Sequence, residues 1–203
     1  GEGAELGAHG GEVGEGIGHQ LIVERGHARP GELVVGADSH AVTYGALNAF
    51  ATGIGSSDLA AAMISGRIWL RVPESIKVVL TGGLMPGVFP KDIALALCGR
   101  LGADGAAYKA LEFHGSGLRS LALEDRLVIA NMAVEMGAKN GIFAADAKTD
   151  EYLSGRADAP YTPVAADADA AYADEVRLDL FNLAPQVARP HLVDNVVGID
   201  MVM

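Results

Sequence analysis

The sequence predicts an α/β protein with at least one mostly parallel sheet. Short apolar or β-branched segments, typical of buried strands, alternate along the chain with longer segments of helical period. The chain has 203 residues, of which 50% are hydrophobic, enough to form the core of one large domain or two small ones. Together these two observations favour a globular α/β architecture.

The first predicted strand is ELVVGADSH, residues 32–40. Its apolar run ends in a glycine turn and places Asp38, Ser39 and His40 at the carboxyl end of the strand, where open α/β sheets carry their sites. A helix is predicted next over residues 56–73, with a serine as N-cap and Pro73 as its stop.

The remaining elements follow from the same patterns. Two strands are predicted at IKVVLTGG and AAYKALEFHG, and helices at PKDIALALCGRLGADG and EDRLVIANMAVEMGAKNG. Residues 144–174, rich in Ala, Asp and Pro, are expected to be a surface connector, and EVRLDL alternates as a half-exposed strand does. The last segment, 184–203, has no helical period and predicts extended chain.

Three regions are predicted, with a domain boundary at the junction of Pro73 and Glu74. Residues 1–73 would complete a first α/β domain, 74–160 would form a second, and 161–203 would be a connector leading to a further domain. The Gly-rich start of the chain is expected to be a loosely held loop, so that Gly1 would be an interior point of a longer protein.

Composition excludes several classes of function. The net charge of −11 opposes binding to nucleic acid, which needs a basic face. The sequence contains no run of apolar residues long enough for a membrane span and no signal peptide pattern, so the cytoplasm is the expected location. Cys98 is the only cysteine, so the chain can form neither an internal disulfide nor a cysteine-based metal site by itself.

One group of residues could carry proton-transfer chemistry. His19 lies in the glycine-rich GIGHQ, about twenty residues before the Asp38, Ser39 and His40 cluster, and one strand could bring the two loops together. A carboxylate beside an imidazole is a workable acid–base pair. Pattern alone leaves three alternatives open: a turn with solvent-facing side chains, a Ser-His-Asp hydrolase, and a zinc site built from His19, Asp38 and His40.

The helix predicted over residues 124–141 is a candidate wall of the same functional site. Its residues Asn131 and Glu135 fall in one stripe that begins with an apolar residue, Leu127. Polar groups on an inward stripe need partners, which is typical of a site wall. The alternative is that the stripe faces water and the helix buries another face.

Together these motifs resemble the aconitase superfamily, in its branch of isopropylmalate dehydratases and homoaconitases. The resemblance rests on GIGHQ, PGELVVGADSHAVTYGALNAFATGIGSSDLAAAM, GRIWLRVPESIKVVLTG, KDIALALCGRLGADGAAYKALEFHG, NMAVEMGAKNGIF and PQVARPHLVDNV, in unbroken order over about residues 14–199. It implies three-layer α/β/α domains with mixed, mostly parallel sheets, here incomplete. It also implies a hydro-lyase that isomerises a 2-hydroxy di- or tricarboxylate, a small carboxylic acid, by dehydration and rehydration.

The resemblance assigns roles to six residues. It implies that Asp38 orients a histidine, that Ser39 contacts the substrate, and that His40 lies near the substrate hydroxyl. The implied catalytic residues are His19, Asp38, His40 and Glu135, and the implied substrate-binding residues are Ser39 and Asn131.

The family's cofactor is a 4Fe–4S cluster that acts as a Lewis acid, and its three cysteine ligands have no counterpart here. Cys98 matches none of them, so no metal ligand is expected within this chain, and the segment alone is expected to be inactive and to bind no cluster. The resemblance further implies a small subunit or swivelling C-terminal domain as partner. Two alternatives remain: a homoaconitase or other 2-alkylmalate isomerase, and a binding or assembly module without a cluster.

Overall fold

The computed structural model describes residues 14–202, which form short helices and strands in alternation. The helices are α1 (Gly18–Glu24), α2 (Ser56–Ser65), α3 (Pro90–Leu101), α4 (Leu123–Asn131) and α5 (Ala147–Leu153). The strands are β1 (Leu33–Gly36), β2 (Phe50–Gly53), β3 (Glu74–Thr81), β4 (Lys109–His114), β5 (Asn140–Phe143), β6 (Asp174–Asp179), β7 (Gln186–Ala188) and β8 (Val196–Gly198). The 3₁₀ helices are Ser39–Leu47, Ser116–Ser120, Met132–Met136, Leu180–Asn182 and Ile199–Met201.

The strands form one four-stranded sheet and two smaller pairs. The larger sheet is parallel throughout, in the order β5-β4-β3-β6, and β1 pairs with β2 in a second parallel arrangement. Strands β7 and β8 form an antiparallel pair. The predicted α/β class with mostly parallel sheets is therefore confirmed. No helix within residues 14–202 is both long and apolar enough to cross a membrane.

The main core lies between the four-stranded sheet and helices α3 and α4. Val78, Leu80 and Leu111 of the sheet belong to the same buried cluster as Ile93 and Ile129 of the helices. Cys98 on α3 is also fully buried in this cluster. Burial of such apolar area is what stabilises the sheet against its helices.

A smaller core joins the first part of the chain to the second. Tyr44 and Leu47 of the 3₁₀ helix Ser39–Leu47 pack in one buried cluster with Leu123 of α4 and Leu153 of α5. The approach to β5 is close enough to require glycine, because a Cβ atom on Gly45 would lie 2.1 Å from the carbonyl oxygen of Gly141. The 3₁₀ helix that begins with Ser39 is therefore fixed against the larger sheet.

Two predicted helices end earlier than the sequence pattern indicated. Helix α2 stops at Ser65, well before Pro73, because Gly66 adopts a left-handed conformation with φ 66° that terminates it. The helix predicted over 124–141 is α-helical only to Asn131, continues as a 3₁₀ turn to Met136, and ends at Gly137 with φ 78°. Both corrections have the same cause, a glycine in the left-handed region just beyond the last turn.

The connector predicted over 144–174 also needs correction, because it contains α5. Asp146 caps this helix by accepting hydrogen bonds from the backbone N–H groups of Lys148 and Thr149. Strand β1 is less buried than predicted, with Leu33 55% exposed.

The predicted half-exposed strand is present as β6, and the predicted extended C-terminal segment holds the β7–β8 pair. The division into 1–73, 74–160 and 161–203 stays a prediction. The Gly-rich start is described only from Gly14, so the loop predicted there lies mostly outside the described residues.

Candidate active site

The carboxyl end of β1 presents Asp38, Ser39 and His40, as the sequence predicted. Asp38 is the N-cap of the 3₁₀ helix that follows, and its Oδ1 accepts a hydrogen bond of 2.7 Å from the backbone N–H of His40. This turn sits directly against the end of β2, where a Cβ atom on Gly53 would lie 2.8 Å from the carbonyl oxygen of Asp38. Glycine at 53 therefore allows the close approach that fixes the turn.

His19 reaches the same place from the first turn of α1. Its Nδ1 lies 3.9 Å from Asp38 Oδ2, and its ring centroid lies 5.9 Å from that of His40. The His40 ring stands with Nδ1 3.6 Å from Asp38 Oδ1 and 3.3 Å from Ser39 Oγ. The predicted convergence of the two loops is therefore present in the structure.

Glu135 and Asn131 approach the cluster from the other side. Glu135, in the 3₁₀ turn after α4, has its Oε1 3.9 Å from His40 Nε2. Asn131 donates a hydrogen bond of 2.8 Å from Nδ2 to Thr43 Oγ1, and the Thr43 hydroxyl donates in turn to the His40 carbonyl oxygen at 2.7 Å. Thr43 thus connects the end of α4 to the turn that carries His40.

Two cavities lie beside these residues and share a wall. The first, of about 800 Å³, is lined by His19, Thr43 and Asn131 among others. The second, of about 860 Å³, is lined by Asn131 and Glu135 and extends to the β7 strand. Leu127, Asn131 and Glu135 of the predicted stripe thus each line at least one of the two cavities.

The polar groups of this edge remain in contact with water. Asp38, His40 and Glu135 have side chains that are 58%, 37% and 39% exposed. Tyr44 of the same 3₁₀ helix is buried, and this burial, with a smaller contribution from the charge of Asp38, raises the pKa of Tyr44 to about 12. The phenol therefore stays protonated. Two imidazoles and two carboxylates form a chain in which each group lies within 4 Å of the next, and such groups can pass protons to and from a small molecule in the adjoining cavities.

The residues of this chain do not form a ligand set for an iron–sulfur cluster. Cys98 is the only cysteine in the sequence, it is buried in the main core, and burial, with Asp194 and Glu135, raises the pKa of its thiol to about 11. Within residues 14–202 no three His, Cys, Asp or Glu side chains converge as metal ligands, which also counts against the zinc alternative. One buried nitrogen at the site, His19 Nδ1, has no hydrogen-bond partner among the residues from 14 to 202.

Two residues at the site were missed by the sequence analysis. Thr43 lies three positions after His40, in the same GADSHAVTYGA stretch, and that spacing in a helical turn is the signal that could have found it. Lys91 lines both cavities, but nothing in the local sequence places the start of α3 beside Asn131.

The fold and the site together define an α/β protein with acid–base groups gathered at the carboxyl end of a parallel strand. The family model described as "Aconitase family (aconitate hydratase)" matches residues 3–203, and the chain belongs to this family. The resemblance to the aconitase superfamily is thereby confirmed.

Several curated relatives are similar over nearly all of this chain. The 3-isopropylmalate dehydratase large subunit of Syntrophus aciditrophicus is 55% identical over 192 residues, which cover 94% of this chain and 46% of the relative. A "3-isopropylmalate dehydratase large subunit 1" of Methanopyrus kandleri is 51% identical, over 93% of this chain and 45% of the relative. A "Probable methanogen homoaconitase large subunit" of Methanosarcina mazei is 50% identical, over 91% and 47%. The chain thus spans about half the length of the curated relatives it matches.

Proposed function

We propose that the protein containing this chain is a hydro-lyase of the 3-isopropylmalate dehydratase type. It would isomerise a 2-hydroxy di- or tricarboxylate by removing water to give an alkene and adding it back with the hydroxyl on the neighbouring carbon. The observation that carries the proposal is the convergence of His19, Asp38, His40 and Glu135 beside two cavities. The names of the relatives supply the substrate class.

Dehydration removes a proton from carbon and expels the hydroxyl as water, so the site must both accept and donate protons. The His40 ring lies between Asp38 Oδ1 on its Nδ1 side and Glu135 Oε1 on its Nε2 side. A protonated His40 can therefore give its proton to the departing hydroxyl, while a neighbouring carboxylate such as Glu135 accepts the proton removed from carbon and passes it back to His40. In the rehydration step His40 would accept a proton from the incoming water, and the carboxyl group would give its proton to the other carbon of the alkene.

Ser39 and Asn131 are proposed to hold the substrate in place, beside the catalytic His19. His19 and Asn131 line the first cavity, and the Ser39 hydroxyl lies beside the His40 ring. Their hydroxyl, amide and imidazole groups are suitable hydrogen-bond partners for carboxylate and hydroxyl oxygens. The Asn131 amide already donates one hydrogen bond to Thr43, which orients its carbonyl oxygen and remaining N–H.

The 4Fe–4S cluster that the family implies would be held by parts of the protein outside this chain. One buried cysteine cannot bind it, so the isolated 203-residue chain is expected neither to take up a cluster nor to turn over substrate. Because the relatives are named large subunits, a small subunit is the proposed partner. The expected location remains the cytoplasm.

The decisive experiment uses the full-length protein together with its small subunit. Turnover of 3-isopropylmalate and of homocitrate is measured for the wild type and for His40→Gln. His114→Gln is the control, since His114 pairs with Glu112 and lines neither of the two cavities. Loss of an acid–base group should lower kcat by about 100-fold or more, while the control keeps its activity. No turnover of either acid, or full activity in His40→Gln, would overturn the proposal.

The relatives leave the substrate open between two acids, because one of them carries the name homoaconitase. Faster turnover of homocitrate than of 3-isopropylmalate would favour that second candidate. Iron and sulfide reconstitution of the 203-residue chain under anaerobic conditions tests the placement of the cluster. A stable cluster with hydratase activity in this chain alone would show that the placement is wrong.

A further inference from the structure

Lys91 stands where the two cavities meet. It is the second residue of α3, after Pro90, and its side chain is exposed. Of the residues that line the cavities, Lys91, Asn131 and Met132 line both of them. A flexible four-carbon stem at this position can bring an ammonium group toward a ligand in either cavity.

The ammonium group of Lys91 is not neutralised by its acidic neighbours. The adjacent Asp92 accepts hydrogen bonds of 2.7 Å from the backbone N–H groups of Phe89 and Gln186, one on each carboxylate oxygen. Glu135 has its Oε1 turned toward His40 Nε2. Among residues 14–202, Lys91 forms no ion pair.

The charge balance of the first cavity makes this cation important. Its wall includes the acidic Glu24 and Glu124, and the chain as a whole has a net charge of −11. The other cation on the wall is Arg156, whose Nη1 donates to the Tyr152 carbonyl oxygen at 2.6 Å and whose guanidinium lies 4.4 Å from the Tyr152 ring centroid. An anionic ligand needs local positive charge to overcome the field of the chain, and Lys91 is the cation placed to supply it.

We propose that Lys91 binds a carboxylate of the substrate at the point where the two cavities join. The inference rests on the proposed function, which makes the substrate a di- or tricarboxylate. A carboxylate held by Lys91 beside Asn131 would leave the rest of the molecule near His40 and Glu135 on one side and His19 on the other. Lys91 would then determine which acids bind, since a monocarboxylate analogue would lose one of its anchors.

The test uses the full-length protein with its small subunit and the variants Lys91→Met and Lys91→Arg. Lys109→Met is the matched control, because Lys109 starts β4 and does not line either cavity. Removing the charged hydrogen bond should raise KM for 3-isopropylmalate or homocitrate by about 10- to 100-fold, with kcat changed by less than about threefold. The arginine variant should recover part of the loss because it keeps the charge. An unchanged KM in Lys91→Met would overturn the inference.

Equilibrium binding of the same two acids separates this inference from the proposed function. If the wild type binds an acid without turning it over, and Lys91→Met binds it about 10-fold or more weakly, the hydro-lyase proposal fails and the role of Lys91 stands. If the wild type turns over an acid and the variant binds it equally well, the role of Lys91 is refuted and the hydro-lyase proposal stands. A wild type that binds neither acid would overturn both.

Discussion

The ion pair between Arg126 and Asp146 offers the sharpest test of what holds the site's scaffold together. The Arg126 side chain is 1% exposed, and its two terminal nitrogens donate to the two carboxylate oxygens of Asp146 at 3.0 and 2.5 Å. Its guanidinium also lies 6.0 Å from the ring centroid of Phe143 at the end of β5. Asp146 thus neutralises a buried cation and at the same time caps α5.

Two substitutions at Asp146 separate these roles. Asparagine keeps a good N-cap but removes the charge, and leaving a buried arginine unpaired costs about 3 to 5 kcal/mol. Because the Asp146 side chain is 45% exposed, water will lessen this penalty, and about 2 to 3 kcal/mol is expected for Asp146→Asn. Asp146→Ala also loses the cap and should cost about 1 kcal/mol more.

Urea unfolding of the chain, followed by far-ultraviolet circular dichroism, measures both free energies. At neutral pH the alanine variant should be the least stable, with asparagine between it and the wild type. Equal stabilities of the wild type and Asp146→Asn would refute the reasoning about the buried charge. Equal stabilities of the two variants would refute the reasoning about the cap.

The pH dependence gives a further check on the same pair. Although burial raises the pKa of Asp146, the hydrogen bond and charge of Arg126 outweigh it and lower the pKa below its usual range. A depressed folded-state pKa stabilises the protein above the unfolded value of about 3.9, and this contribution is lost as the pH falls through the folded value. The stability difference between the wild type and Asp146→Asn should therefore be constant near neutrality and shrink below about pH 4.

Two other perturbations test the packing. Gly45→Ala places a methyl group 2.1 Å from the Gly141 carbonyl oxygen and should lower the free energy of unfolding by about 2 kcal/mol or more. The control is Gly18→Ala, whose methyl group would have no neighbouring heavy atom within 4 Å and should change that free energy by less than about 0.5 kcal/mol. Equal urea midpoints of the two variants would contradict this reasoning. Cys98, buried and with a thiol pKa raised to about 11, should react with a thiol reagent at pH 8 only after unfolding, so rapid labelling of the native chain would contradict its burial.

Hydrophobic pattern was sufficient to predict most of the sheet. The run IKVVLTGG is β-branched and apolar enough to mark a buried strand, and it lies within or just after β3 at the centre of the larger sheet. The helix ends were less predictable, because Gly66 and Gly137 terminate their helices by a backbone conformation that apolar spacing does not reveal. Helix α5 was missed because its composition resembles that of a loop, although the cap formed by Asp146 was a usable signal.

The site was predictable where its residues are close in the sequence. Asp38 and His40 share one turn, and about twenty residues that include a single strand separate them from His19, so simple chain geometry could bring them together. Thr43 contacts Asn131, which lies 88 positions later in the sequence. Lys91 lines the same cavity as Asn131 only because α3 packs beside α4. Such contacts depend on which faces of the helices are buried, and no local pattern in the sequence determines that.

The positions of the candidate site residues depend on buried side-chain amides some distance from them. Asn48, which ends the 3₁₀ helix with φ 64°, donates from Nδ2 to the carbonyl oxygens of Phe143 and Val164, each at 3.0 Å. Asn140 donates to the carbonyl oxygen of Ala49 at 3.1 Å. Because both amides are buried, the hydrogen bonds donated by their Nδ2 groups hold one relative position of the 3₁₀ helix and β5, and a different position would leave those N–H groups unpaired. His40 lies at the start of that helix, 3.9 Å from Glu135, so the hydrogen bonds at the opposite end contribute to holding it in position.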